Sequence, residues 1–191
     1  MDVFDTIRTR RSHPYLVEPA PSTAELNRML TAASAAPDHG RQTPWRFIIL
    51  AGENKDAFAD VLEKAYRDRA HHSVTAARVA RERARFDRAP LVVVTACIAA
   101  DNDRIPRIER LAATAAATEN LLLSATALGY GSMWRTGWPA NDSIVKQALG
   151  LHRDDDIVAF VHLGTGPRDR SIPPRVPTPV EHVVWSWSQI R

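Results

Sequence analysis

Cysteine is almost missing from this chain: Cys97 is the single one in 191 residues. No disulfide can form within the chain and no thiolate cluster can hold a metal, which fits a reducing, cytoplasmic setting. Lysine is scarce as well, with only Lys55, Lys64 and Lys146, so the basic pI of about 9.4 rests on arginine. An excess of one charge is also lacking, since 25 basic residues face 22 acidic ones. The arginines are scattered among acids and no recognition module appears, which excludes a nucleic-acid partner from this reading. Long apolar runs are absent too. The stretch 111–128 carries Glu119 and Asn120 in its middle and falls short of the roughly 20 clean residues that span a bilayer. Residues 1–11 alternate charged and apolar side chains and do not read as a signal peptide. Glycine numbers only 8, and no Walker A sequence occurs.

What remains is an ordinary globular balance, 45% apolar and 25% charged, at a length that suits one domain. Val3, Phe4 and Ile7 mark a short amphipathic helix over 2–9. Ser22 followed by Glu25 forms a capping-box signature, and Leu26, Met29, Leu30 and Ala33 then recur at helical spacing until Pro37. Short apolar runs at 47–51, 91–96 and 157–163 read as buried strands. Between the first two, residues 56–87 read as two charged helices with a break near His71, His72 and Ser73. The longest helical pattern, 105–128, is rich in alanine, so a second helix can approach it closely. Gly129-Tyr130-Gly131 ends it and opens a loop, and Asn141 or Asp142 caps a short helix closed by Gly150. The segment 171–191 is proline-rich at its start and reads as an extended arm, in which 183–188 alternate like a strand. Strands separated by helices make this an α+β or α/β domain on one sheet.

Several familiar motifs fail on inspection. Gly129-Tyr130-Gly131-Ser132-Met133-Trp134 approaches a dinucleotide fingerprint, but its sixth position is tryptophan and a helix precedes it. Ser132 lacks the glycines of a nucleophile elbow. His71 and His72 are sequence neighbours on different helix faces, a poor metal pair. Three polar segments remain, each where a regular element ends. Arg10-Arg11-Ser12 offers two guanidinium forks and a hydroxyl suited to a phosphate or an electron-rich ring edge, though arginines at a helix end also serve as dipole partners. Residues 38–45 supply an imidazole, a guanidinium, an amide and an indole; 131–137 place Trp134, Arg135 and Thr136 between glycines.

In combination and order, Arg10-Arg11-Ser12, Ala36-Pro37-Asp38-His39 with Gln42-Thr43-Pro44-Trp45, and Gly129 through Gly137 resemble the nitroreductase superfamily of flavin enzymes, nearest to its compact YdjA-like branch. Arg88-Ala89-Pro90 before a strand and Leu163-Gly164-Thr165 after one extend the resemblance over 10–165. It implies an α+β fold with a central mixed sheet flanked by helices. It also implies a homodimer around the long helix, with FMN at the interface and the C-terminal arm exchanged between subunits. Arg10, Arg11 and Ser12 then correspond to the segment holding the FMN phosphate and the polar ring edge. His39, on the loop that begins near Ala35, corresponds to the residue lent by the other subunit. Gly131, Ser132, Trp134, Arg135 and Thr136 correspond to the segment beside the isoalloxazine.

The implied activity is ping-pong hydride transfer from NADH or NADPH through flavin N5 to a nitroaromatic or quinone-like acceptor, with no protein nucleophile and no metal. A flavin-binding protein of the same fold with little turnover is the alternative, and a flavin-free interaction domain is a second. Arg168 and Arg170 stand near where larger members place a phosphate-binding basic pair. The arginine-rich segment 68–87 matches no motif and is expected to border the substrate entrance.

Overall fold

Side-chain caps fix where the helices begin. In the computed structural model, which describes residues 2–70, 74–99, 104–167, 172–173 and 176–187, the Asp2 carboxylate accepts from the Asp5 amide at 2.8 Å and starts α1 (Val3–Thr9). Ser22 and Glu25 close the reciprocal capping box that opens α2 (Thr23–Ala33). After β1 (Trp45–Ala51), the charged segment forms α3 (Glu53–Arg69) and α4 (Ala76–Arg83), the latter capped by Thr75. The expected break at 71–73 lies outside the described residues, between these helices. The order then runs β2 (Leu91–Cys97), α5 (Arg107–Ala127), β3 (Gly131–Arg135), α6 (Ser143–Ala148) and β4 (Asp156–Gly164). Asp142 caps α6 by accepting from the Ile144 and Val145 amides.

The four strands form one sheet in the order β1-β2-β4-β3, and every ladder is antiparallel. The parallel component of the expected mixed sheet is confined to an isolated bridge between Ser12 and Ser132. Helices cover both faces, so β2 is buried along its whole length, which is why it reads as continuous Leu-Val-Val-Val rather than alternating. On one face α2 and α5 pack Leu26, Met29, Leu121 and Leu122 against Val93, Val161 and Leu163. On the other, Phe58, Leu62 and Phe86 pack on Val92, Val94 and Phe160, with Phe58 and Phe86 stacked at 5.7 Å between centroids.

The alanines of α5 let it lie close to the sheet, where Ala113, Ala117 and Ala125 are buried beside Thr114 and Thr118. The Thr118 hydroxyl donates to the Thr114 carbonyl at 2.8 Å and stands 3.0 Å from the Thr95 hydroxyl, a buried polar tie between helix and sheet.

Two expectations change. The loop expected from Gly131 onward is instead the edge strand β3, because residues 131–135 pair with β4 from Gly131↔Gly164 to Arg135↔Phe160. The strand expected at 183–188 is not formed over the described residues 183–187, which follow a short 3₁₀ turn, Val180–His182. Within one chain that segment pairs with no strand, and Val183, Val184, Trp185 and Trp187 are exposed.

Candidate functional site

The polar strip 10–12 and strand β3 are brought side by side. After α1, the chain pairs Ser12 with Ser132, and the His13 amide donates to the Ser132 carbonyl at 3.0 Å. It then crosses the end of the sheet, where the Leu16 amide donates to the Arg88 carbonyl and Val17 exchanges two backbone bonds with Thr165. Space for this crossing comes from paired glycines. A Cβ at Gly131 would lie 2.5 Å from Leu16 Cδ2, and one at Gly164 would lie 2.8 Å from Pro90 Cδ and 3.0 Å from the Val17 carbonyl.

Each candidate residue has a definite place in this frame. Arg10 is largely buried, and its Nε lies 3.3 Å from Glu119 Oε1 on α5. Arg11 turns back to the Arg8 and Arg10 carbonyls at 3.1 and 2.9 Å, and Ser12 is exposed. Ser132 is buried, and its hydroxyl oxygen has no hydrogen-bond partner among the described residues. Trp134 packs with the α2 and α5 side of the sheet, near Tyr130, whose hydroxyl donates to Glu25 at 2.9 Å. Hydrogen bonds from Ser22 and Tyr130 hold the Glu25 carboxyl below the ordinary range. Thr136 is exposed just past the strand.

Ala35 and His39 lie elsewhere. Ala35 is exposed in the turn after α2, and His39 is exposed with its Nδ1 against Glu109 at the start of α5. Glu109 and Glu119 are ten residues apart on that helix, or about 15 Å at 1.5 Å per residue. Arg10 and His39 of one chain thus meet α5 at points nearly three turns apart. The His39 loop is held in a strained form: Gly40, Arg41 and Thr43 all have positive φ, and the Thr43 amide donates to the Asp38 carboxylate at 2.6 Å.

Arg135 departs from its neighbours. Consecutive strand residues face opposite ways, and Arg135 pairs with Phe160, on the face away from Trp134 and Ser132. Its Nη2 donates to the Pro14 carbonyl at 3.1 Å, while its Nε is buried without a partner among the described residues. It opens on a cavity of about 270 Å³ lined by Arg81, Glu82, Arg85, Arg88 and Arg135. Burial, and then the charges of Arg88 and Arg85, push the Arg135 pKa down. Beneath lies His162, 1% exposed and with neither ring nitrogen partnered among the described residues. Burial and the nearby cations Arg135, Lys55, Arg88 and Arg85 lower its pKa to about 3, so it is neutral near pH 7.

The sequence reading named Arg135 but not the group around it. Arg81, Arg85 and Arg88 follow one another at intervals of four and three, the spacing of one helical face, and that was the available signal. A lone histidine in an apolar strand carried no comparable sign. Arg168 and Arg170 lie outside the described residues, as do His71 and His72. A larger cavity, about 450 Å³, opens near Cys97 and Arg107 and contains none of the candidate residues. Among the described residues no group of three or more His, Cys, Asp or Glu side chains converges. No described helix is long and apolar enough to cross a membrane.

A helix-covered antiparallel sheet, edged by a β3 strand that pairs with the polar strip 10–12, is a nitroreductase-like fold. A nitroreductase-like protein from Bacillus cereus superposes with a TM-score of 0.83 at 24% identity over 97% of this chain and 96% of that one. The chain belongs to the Nitroreductase family, whose family model matches residues 7–165.

Among its relatives, the Escherichia coli K12 protein provisionally named NAD(P)H nitroreductase YdjA is 34% identical over 97% of this chain and all of that protein. A Haemophilus influenzae protein provisionally named NAD(P)H nitroreductase is 30% identical over 87% of this chain and 89% of its own length. A Bacteroides fragilis nitroreductase solved with bound FMN superposes at a TM-score of 0.71 and 21% identity, over 93% of this chain and 95% of that one. Family and relatives make an oxidoreductase the class to which the chain belongs.

Proposed function

We propose that this protein is an FMN-dependent NAD(P)H oxidoreductase acting on nitroaromatic or quinone-like acceptors. The observation that carries the reading is the bridge between Ser12 and Ser132, which joins the segment of the mostly buried Arg10 to a strand whose Ser132 hydroxyl has no hydrogen-bond partner among the described residues. Two arginine forks suit a phosphate or the electron-rich edge of a flavin ring. Arg10 and Arg11 would hold that anionic part, Ser132 would donate or accept at the ring, and Trp134 would present its indole beside it. Bound FMN would supply the redox chemistry, accepting a hydride from NADH or NADPH at N5 and passing it to the acceptor in a ping-pong cycle. The residues' own work is to orient the ring, to exclude water behind Trp134, and to stabilise negative charge at the ring edge through Arg10.

The functional unit in this reading is a cytoplasmic homodimer of one-domain chains. Each chain lends the loop that begins near Ala35 and carries His39 to the partner's flavin, and the arm 171–191 crosses to the partner. The exposed Val183, Val184, Trp185 and Trp187 support the arm's role, and the roughly 15 Å of α5 between Glu119 and Glu109, the partners of Arg10 and His39, supports the shared site.

Purified protein should be yellow or take up added FMN, and anaerobic NADPH should bleach the flavin within seconds. Persistent oxidised colour would favour a flavin-sequestering role, and a colourless protein that ignores FMN would overturn the flavin reading altogether. Arg10→Ala should lower FMN retention without altering sedimentation. Truncation before Val183 should weaken the dimer.

A further inference from the structure

The α4 side of β3 collects four guanidinium groups around one carboxylate. Arg81, Arg85 and Arg88 come from the end of α4 and the chain leading to β2, and Arg135 comes from β3 across the cleft. Glu82 is already engaged. It is 6% exposed and accepts from Arg85 Nε at 2.9 Å and from Trp138 Nε1 at 2.9 Å, with Arg81 Nη2 at 3.6 Å. Burial works against its charge, but these donors outweigh burial and keep it ionised below the ordinary carboxyl range.

No second carboxylate lines the cleft among the described residues. Arg88 lies over the Tyr15 ring at 5.2 Å, Arg135 spends one nitrogen on a carbonyl, and the buried Arg135 Nε meets no acceptor among the described residues. Like charges gathered at a partly enclosed surface repel each other more than they would in water, and an anion would relieve that repulsion. The cleft, about 270 Å³, is small and half open, unlike the broad basic surface that a nucleic acid or a membrane requires. Several planar forks converging from different elements match the several oxygens of a phosphate better than the two of a carboxylate.

We propose that this cleft is a binding site for a phosphate dianion, held by Arg81, Arg88 and Arg135 with Arg85 fixed in place by Glu82. A phosphate of that kind can be free in solution or carried on an adenosine, as in the 2′-phosphate that separates NADPH from NADH. The second source rests on the oxidoreductase reading above; the anion site does not.

Calorimetric titration of the purified protein, in phosphate-free buffer and with whatever flavin it carries, tests the site with adenosine 2′-monophosphate, adenosine and inorganic phosphate as probes. The adenosine monophosphate or inorganic phosphate should bind and adenosine should not. Arg81→Gln and Arg88→Gln should each weaken binding by about tenfold or more, the loss expected for one charge-assisted contact. Their melting temperature and flavin content should stay at the parental values, since the Arg81 side chain is exposed and that of Arg88 lies on the Tyr15 ring.

Preference for the adenosine monophosphate, with a KM for NADPH that rises in Arg88→Gln while that for NADH holds, assigns the electron donor as the source. Equal affinity for inorganic phosphate assigns free phosphate and keeps the site. Absence of heat with both phosphate probes, or binding unchanged in the two variants, overturns the proposal. A yellow, NADPH-reducible protein that binds no phosphate would remove this site alone, whereas a colourless protein that binds phosphate would remove the flavin reading alone.

Discussion

The two faces of the β3 edge are built on opposite principles. Toward α2 and α5, Ser132 and Trp134 meet a tightly packed wall of alanine, threonine and leucine, with charge confined to pairs such as Arg10 and Glu119. Toward α4, Arg135 and His162 meet phenylalanine below and a ring of arginines above, with a single buried carboxylate to balance them. A strand only five residues long thus carries two chemistries, because alternate side chains point to opposite sides. One face is built mainly from apolar packing and the other is held in check by Glu82.

The sharpest way to break the comparison is to remove that check. Glu82→Ala takes the buried carboxylate from Arg85, Arg81 and the Trp138 indole and should destabilise the protein by about 3 kcal/mol, the scale for taking one partner from a buried ion pair. Thermal unfolding should fall by roughly 6–12 °C for a chain of this size, and a melting point unchanged from the parent would show that the charge crowding carries no energy. Next, Gly164→Ala tests the packed crossing at the sheet's end. Its Cβ would stand 2.8 Å from Pro90 Cδ and 3.0 Å from the Val17 carbonyl, and overpacking of this kind costs about 2 kcal/mol, readable by urea denaturation.

His162 gives the cationic face a pH dependence. Its pKa falls from 6.5 to about 3 on folding, so the unfolded chain binds the proton first, and the stability this neutral ring permits is present above pH 6.5. It is lost as the pH drops from there toward 3, at up to about 1.4 kcal/mol per pH unit. His162→Leu should flatten that slope between pH 6 and 4, and an identical slope in the variant would remove His162 as its source. The smallest effect is expected far from both faces. Asp38→Ala frees the Thr43 amide and should cost about 1 kcal/mol, seen as a shift of about 2–4 °C in melting.

Much of this was legible in the sequence where local chemistry decides the outcome. Ser22 and Glu25 announced α2, Asn141 or Asp142 announced the start of α6, where Asp142 is the cap, and the valines of 92–94 announced a buried strand. Strand β3 was hidden because a five-residue segment containing Gly131 and Arg135 has no apolar alternation; it is a strand because β4 offers a ladder to pair with. For the same reason, 183–187 alternate convincingly yet form no strand, since pairing needs a neighbour and the pattern alone supplies none. The candidate residues in 10–12 and 131–136 were visible as polar groups at element ends. That Arg135 turns away from Trp134 follows only from the register, and the arginine ring needed two elements far apart in sequence to come together.

The distance between Arg10 and His39 along α5 has a genetic reading. If two chains share each site as proposed, a strain carrying only an Arg10-defective copy or only a His39-defective copy should lack activity. Cells expressing both should recover part of it. In the mixed dimer one site inherits both faults and the other inherits neither, so two broken alleles complement each other within one protein.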